Sequence, residues 1–478
     1  VLTAVLITFL VKISKTRYLC PLLAIVAASL CAAGAYHAVG IRAAYRELLT
    51  RRGDAQETAS LEPVFSLSKT EKNVIVMMAD GALNGFVPLI FEDHPELYGQ
   101  FDGFTLYPNT VSFAAHTLMG VPPVWGGYDY TPFEMNRRNE TPLAEKHNEA
   151  LLTLPLLFSQ AGFNVTVTDP SWANYAWIPD LSIYKNLDNT RAFNTIRRYT
   201  GLWYERNGLD GFGFTGQKIM RNVIWFSFLK ITIPVLRLIV YDSGFYWGTD
   251  NMGSSIVEFI KSYAVLDLLP ELTSFNSEKP SALLLTNEAT HEFVFLQPPA
   301  YTPGSEPSKI GNSPYAENSA YHANSALYLK LGQWFDVLKE NGVYDNTRII
   351  ITADHGGGVG GMISGEPLRI TGESRERYNP VLLVKDFGDH GPLAVDAAFM
   401  TNADVPALAV RGLLDHPVNP FTGTPLSDTV KKDEVLITTG HIPMADGHGK
   451  YVFSIKKNQW MRVHDNIFDS ANWEAVEK

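Results

Sequence analysis

The segment YDNTRIIITADHG, residues 344–356, sets three isoleucines in a row and follows them almost at once with an aspartate, a histidine and a glycine. An apolar run on consecutive positions suits a central strand covered on both faces, because a half-exposed strand would alternate polar and apolar residues. Asp354 and His355 then stand where the chain leaves the core. In open α/β sheets the ligand crevice lies beyond the carboxyl ends of the strands.

Outward from this segment the same grammar repeats. NVIVMMAD (73–80), LPLLFSQAGFNVTVTD (154–169), SALLLTNE (281–288) and PVLLVKD (380–386) are further apolar strand runs, some preceded by helical stretches. Strands alternating with helices predict a doubly wound α/β sheet. Ahead of the quoted segment, Leu327, Leu329, Leu331, Trp334, Phe335 and Leu338 mark one face of a helix, and Asn341-Gly342 supplies its stop. Asp80 ends the first strand as Asp354 and His355 end the later one. Two elements far apart in sequence can therefore deliver carboxylate and imidazole to one rim, a donor set suited to Mn, Zn or Mg.

The chain has 478 residues and a formal net charge of −11. Residues 1–70 hold eight Lys or Arg against four Asp or Glu, so the remainder carries −15 and argues against nucleic acid as a partner. The two cysteines, Cys20 and Cys31, both fall in the apolar N-terminal region, which leaves the rest without a disulfide or a thiol nucleophile. Tyr18 to Gly40 carries no formal charge and as a helix reaches roughly 34 Å, enough to cross a hydrocarbon layer of about 30 Å. The expected organisation is a membrane region over 1–41, with one full span at 18–40 and a shorter apolar segment at 1–11. A juxtamembrane linker at 42–70 follows, then a catalytic domain over 71–478 whose last part, about 431–478, is an appendage. Lys12, Lys15 and Arg17 precede the span and Arg42, Arg46, Arg51 and Arg52 follow it, so basic residues do not fix its orientation.

Between the two acidic strand ends lies NTVSFAAHTLMGVPPVWGGYDYTP, residues 109–132. Thr117 stands there before a Pro-Pro-Gly-Gly stretch expected to stop a helix, a setting that fixes a side chain at a helix start. Taken together, Asp80, Thr117 with Pro122 five residues on, TNEATHEF with His291, YDNTRIIITADHG, NPVLLVKDF and FMTNADVPAL resemble the alkaline phosphatase superfamily. The resemblance is to its membrane-anchored, sulfatase-like branch of lipoteichoic acid synthases and phosphoethanolamine transferases, and it covers most of residues 73–430.

The resemblance implies a three-layer α/β/α sandwich with a mostly parallel sheet behind a transmembrane helix. By position, Asp80, Thr117, Asp354 and His355 look like ligands of a divalent metal, Mn or Zn first and Mg as an alternative. Thr117 also looks like the nucleophile, and His291 like a substrate-facing histidine. Implied with these are a phospholipid head group or a phosphorylated envelope polymer as partner, and a catalytic domain on the extracytoplasmic face of a bacterial-type cytoplasmic membrane. Formylglycine sulfatases begin their signature with Cys or Ser, which Thr117 cannot replace. The absence of cysteine from the domain departs from the disulfide-bearing phosphoethanolamine transferases and favours phosphoglycerol transfer, with hydrolysis or phosphoethanolamine transfer as the alternatives.

In the region that would wall the substrate, TDPSWANYAWIPD, the candidates are Asp169, Trp172, Asn174 and Trp177, with aromatic packing as the competing reading. His441 and His448 read as parts of a glycine-rich loop, and His116 receives no role. Residues 223–247, VIWFSFLKITIPVLRLIVYDSGFYW, admit two readings: a core helix, or an amphipathic segment resting on a bilayer.

Overall fold

The computed structural model describes residues 61–208, 232–241, 253–357, 374–426, 434–441 and 450–478, with scattered positions elsewhere. Residues 1–60 and 61–478 form separate units. In the first, the described positions between Cys20 and Gly40 are helical and exposed, but much of the expected span at 18–40, and all of 1–11 and 42–60, lies outside the described residues. Among the described residues no helix is long and apolar enough to cross a membrane.

The second unit is built on an eight-stranded sheet: β1 (Asn73–Ala79), β2 (Thr105–Leu106), β3 (Asn164–Thr168), β4 (Thr190–Phe193), β5 (Ser281–Asn287), β6 (Thr347–Thr352), β7 (Leu382–Lys385) and β8 (Ala394–Val395). Their order is β8-β2-β7-β6-β1-β5-β3-β4. The run β6-β1-β5-β3-β4 is parallel throughout. β7 pairs antiparallel with both of its neighbours. The expected mostly parallel α/β sheet is thus the one observed, and every residue of β1, β5 and β6 is buried, as the unbroken apolar runs require.

Two helices pack on one face of the sheet: α1 (Thr117–Gly126) and α2 (Leu143–Gln160). Val74, Val76 and Met78 of β1 join Val121 and Val124 of α1 and Leu151, Leu154 and Phe158 of α2 in one core. α3 (Thr200–Arg206), α4 (Pro234–Tyr241) and α5 (Gly253–Asp267) lie between β4 and β5 in the chain. The long helix α6 (Ser319–Glu340) buries Leu327, Leu331, Trp334, Phe335 and Leu338, while Leu329 is only partly covered. It begins earlier than its apolar face suggests, at a cap formed by Asn318, whose side chain accepts from the amides of Ala320 and Tyr321. Beyond Asn341 the chain turns through Gly342 at φ 69°, the stop the sequence announced.

Two expectations need correction. α1 continues through Pro122 and Pro123 instead of stopping before them. A proline inside a helix costs about 3 kcal/mol through its missing N–H and ring clash, but every residue from Leu118 to Gly126 is buried, so packing overrides the local preference. The second concerns residues 223–247: α4 is the part of it described as a continuous stretch, and it buries no residue, so the core-helix reading fails there.

C-terminal to these elements, β9 (Glu434–Thr438), β10 (Trp460–His464) and β11 (Trp473–Val476) make an antiparallel sheet. Val435, Ile437, Met461 and Val463 pack with Val111 and Phe113, on the segment leading into α1.

One polar residue inside the apolar strand β6 is held by a dense set of partners. The guanidinium of Arg348 donates to Asp386 at 2.7 and 3.0 Å and to the carbonyls of Leu408, Ala409 and Arg411. Arg348→Ala removes the donor of these carbonyls and leaves Asp386 with only Arg411 and the Phe387 amide. An unfolding free energy lower by about 3 kcal/mol is expected, read as a shift of the urea midpoint at unchanged slope.

Candidate metal and nucleophile site

Because β6, β1, β5 and β3 are neighbours and parallel, the residues that follow them emerge side by side along one edge of the sheet. Asp354 and His355 follow β6, Asp80 follows β1, Glu288 and His291 follow β5, and Asp169 follows β3. Register keeps the ends level: Met78 of β1 pairs with Thr352 of β6 and with Thr286 of β5.

Asp80, Asp354 and His355 are buried, and each offers one ligand atom within 4.8 Å of the others. His355 Nε2 lies 3.7 Å from Asp80 and 3.5 Å from Asp354. The other ring nitrogen, Nδ1, is 2.8 Å from the Gly356 carbonyl, a bond it makes only as a donor, so the neutral ring presents its Nε2 lone pair to the carboxylates. Asp80 Oδ1 and Asp354 Oδ2 are buried and have no hydrogen-bond partner. Two buried carboxylates so close together strongly disfavour ionisation of both. Burial first, and then the Asp354 charge, raise the pKa of Asp80 far above the usual carboxylate range. Orphaned carboxylate oxygens facing an imidazole lone pair are the donor set a divalent cation takes up, so these residues fit the metal that the sequence implies.

Thr117 completes the group. Its Oγ1 is 3.4 Å from Asp80 Oδ2 and 3.3 Å from His355 Nε2. A threonine at a helix start ordinarily caps it, but here His116 is the cap residue, no side chain caps the helix, and Thr117 is its first helical residue. The hydroxyl is therefore free of backbone duty and turned to the acidic rim. The four residues expected to act together do meet.

Backbone contact fixes this arrangement. A Cβ built on Gly120, one turn into α1, would lie 2.6 Å from the carbonyl oxygen of Asp354, so only glycine lets the helix approach this closely. Asn402 ties the same pair, donating to the carbonyls of Asp354 at 2.8 Å and Gly120 at 3.3 Å. Thr290 Oγ1 donates to the Asp80 carbonyl at 2.6 Å.

His291 is more open, with its side chain 56% exposed. The hydrogen bond to Glu292, and next the Asp80 charge, raise its pKa to about 9. It is cationic at neutral pH and suited to holding anionic oxygens. Behind Thr117, His116 and His441 have ring centroids 4.3 Å apart. Burial, with His441, His355 and Arg377 adding to it, depresses His116 to about 4 and keeps it neutral. His441, read from sequence as a loop residue, thus packs on the residue before Thr117, while His448 lies outside the described residues.

Next along the rim is a cavity of about 110 Å³ lined by Trp172, Trp177, Asn194, Arg197, Glu288 and Asp169, among others. The two indoles meet edge to face, with centroids 5.5 Å apart. Backbone strain gathers here: Asp169, Trp172, Asn174, Tyr175 and Arg197 all have φ between 51° and 75°. Of the four residues proposed as a substrate wall, Trp172 and Trp177 line the cavity. Asp169 lines it as well, but spends its carboxylate on the amides of Thr195 and Ile196 and the hydroxyl of Thr195, and so anchors the opposite wall. Asn174 is bound to Asn148 and Asp180 and fixes the loop. Glu288 and Arg197 were not anticipated. Glu288 had the signal that identified Asp80, an acid directly after an apolar strand, whereas Arg197 had none.

A model of the sulfatase family matches residues 72–408. The chain belongs to the sulfatase family, and is one of its enzymes. No curated protein matches it by sequence. Solved structures similar to it include an alkaline phosphatase superfamily protein of Vibrio parahaemolyticus, 14% identical over 89% of both chains with a TM-score of 0.44. A phosphonate monoester hydrolase of Silicibacter pomeroyi is 13% identical over 83% of this chain and 85% of its own, with a TM-score of 0.45. A lipoteichoic acid synthase of Listeria monocytogenes is 11% identical over 87% and 92%, with a TM-score of 0.41.

Gly120→Ala pushes α1 away from the Asp354 loop and spreads the donor set. Its Mn affinity, measured by titration calorimetry, is expected to fall roughly tenfold or more, with the far-ultraviolet circular dichroism spectrum unchanged.

Proposed function

We propose that this enzyme transfers a phosphoglycerol group from a phospholipid head group, using Thr117 as nucleophile in a metal-dependent, two-step displacement. The observation that carries the reading is Thr117 Oγ1 itself, within 3.4 Å of Asp80 and His355 at a helix start it does not cap. Asp80, Asp354, His355 and Thr117 would hold the divalent ion, Mn or Zn in preference to Mg. Bound there, it would supply Lewis acidity and offset the negative charge that the acidic rim presents to an anionic substrate.

The chain's own residues divide the remaining work. Thr117 Oγ1 forms the bond to phosphorus as the bond to the diacylglycerol oxygen breaks. An acceptor hydroxyl then displaces the threonine, so one difficult displacement becomes two. His291, cationic at neutral pH, holds phosphoryl oxygens and can protonate the departing alcohol. The cavity beside it, with two indoles, Arg197 and Glu288, has the mixed apolar and polar lining of a pocket for a head group, and its strained backbone supports a functional role.

The membrane belongs to the same proposal. An anchor at residues 18–40, with the catalytic unit on the extracytoplasmic face, would hold the site among lipid head groups or a phosphorylated envelope polymer at high effective concentration.

Incubating the full chain with Mn and phosphatidylglycerol is expected to leave a glycerophosphoryl group on Thr117, seen by mass spectrometry and absent from Thr117→Ala or after chelation. A phosphoethanolamine adduct from a mixed lipid donor would select that transferase instead. Release of free phosphate or sulfate with no transfer would select a hydrolase.

With His291 acting as a cation, the sign of its pH effect is fixed. Its contribution to turnover should be intact below about pH 9 and lost as pH rises through that value. His291→Gln should lower turnover and remove the alkaline limb, as read from kcat/KM against pH.

A further inference from the structure

Between α3 and α5 the chain makes an excursion that the reaction does not explain. Its described helix, α4, with Ile233 just before it, carries large aliphatic side chains on an open surface: Val235 is 82% exposed, Leu238 79%, Ile233 58% and Leu236 45%. Each would lose contact with water at a gain of about 25 cal/mol per Å² covered. Soluble monomers seldom leave such a contiguous patch uncovered.

The charge around the helix narrows what could cover it. From Gly211 to Tyr241 the sequence contains Lys218, Arg221, Lys230 and Arg237 and not one Asp or Glu, in a chain whose net charge is −11. Within α4 the Nε of Arg237 donates to the Thr232 carbonyl at 3.0 Å, which folds the stem back along the helix. Trp225, Phe226 and Phe228 precede the helix and Tyr241 ends it, residue types that favour the boundary between water and lipid. Aliphatic side chains with only cations among them complement a surface that is apolar inside and anionic at its face, as an anionic lipid layer is.

The place of the insertion gives the contact a purpose. α5 leads on through residues 268–280 into β5, whose carboxyl end carries Glu288 and His291. The Lys261 carbonyl of α5 accepts from the Arg197 amide in the cavity wall, at 3.1 Å. The helix is thus spliced between elements that frame the cavity.

We propose that α4 is a membrane contact made by the catalytic unit itself, separate from any span at residues 18–40. Ile233, Val235, Leu236 and Leu238 enter the outer part of a lipid layer, and Arg237 meets anionic head groups, with Lys230 adding to the positive charge of the sequence that precedes the helix. The contact depends neither on the reaction proposed above nor on the anchor.

The test uses the full chain with Cys20 and Cys31 changed to Ser and one cysteine introduced by Leu238→Cys, carrying an environment-sensitive fluorophore. It is placed in phosphatidylcholine vesicles with and without phosphatidylglycerol. Expected are a blue-shifted emission and quenching by spin-labelled acyl chains roughly threefold stronger than for the same label at the exposed Val395. Equal quenching at the two positions overturns the proposal. So does a blue shift that grows with protein concentration without lipid quenching, since a second copy would then be covering the helix. Lys230→Gln with Arg237→Gln, in the same labelled chain, should lower quenching at position 238 in phosphatidylglycerol vesicles roughly threefold or more; no change overturns the assignment to anionic lipid. Flotation of the unlabelled chain reports the anchor separately, and adduct formation on Thr117 reports the chemistry.

Discussion

Two carboxylates, Asp80 and Asp354, are buried within a few ångströms of each other with an oxygen apiece left unbonded. Much of the architecture around them serves that arrangement. Carboxylates brought together without compensation resist ionisation, and compensation can come from the His291 charge and from a divalent ion of the kind this donor set suits. The level register of β6, β1 and β5 brings the acids to one height. Gly120 and Asn402 then lock the Thr117 helix to the Asp354 loop, so that a hydroxyl from a third element arrives at the same point.

The parallel sheet explains how residues scattered along the chain come to share a rim without any local sequence relation. Each strand end contributes one or two groups, and strand order determines which of them are neighbours. Carboxylates and an imidazole able to hold a metal follow β6 and β1, basic and acidic groups follow β5, and the aromatic cavity lies beyond β3. A substrate spanning this edge would meet the metal group at one end and the indoles at the other.

Much of this was legible in the sequence because burial writes plainly. Unbroken apolar runs named β1, β5 and β6, and the acid directly after a strand named Asp80 and Asp354. The helix over Leu327 to Leu338 showed its face and its glycine stop, although its start at Asn318 was hidden by a polar first turn. Local rules failed where tertiary packing outweighed them: Pro122 and Pro123 read as a helix stop, yet the buried helix runs through both. Arg197 and Asn402 were invisible because their roles come from loop geometry and from contact across the fold. Asp169 and Asn174 were found for their polarity, but the structure employs them to hold the cavity's walls.

The C-terminal sheet has a bearing on how the enzyme comes into being. Thr438 of β9 donates its amide to the carbonyl of Phe113, on the stretch that leads into Thr117, and Val435 and Ile437 cover Val111 and Phe113 from outside. During synthesis the N-terminal elements form first, but Val111 and Phe113 lack this cover until residues beyond 434 have emerged. The segment leading into Thr117 is therefore among the last parts to be covered, whereas the contacts of Gly120 and Asn402 that hold its helix are complete earlier in the chain.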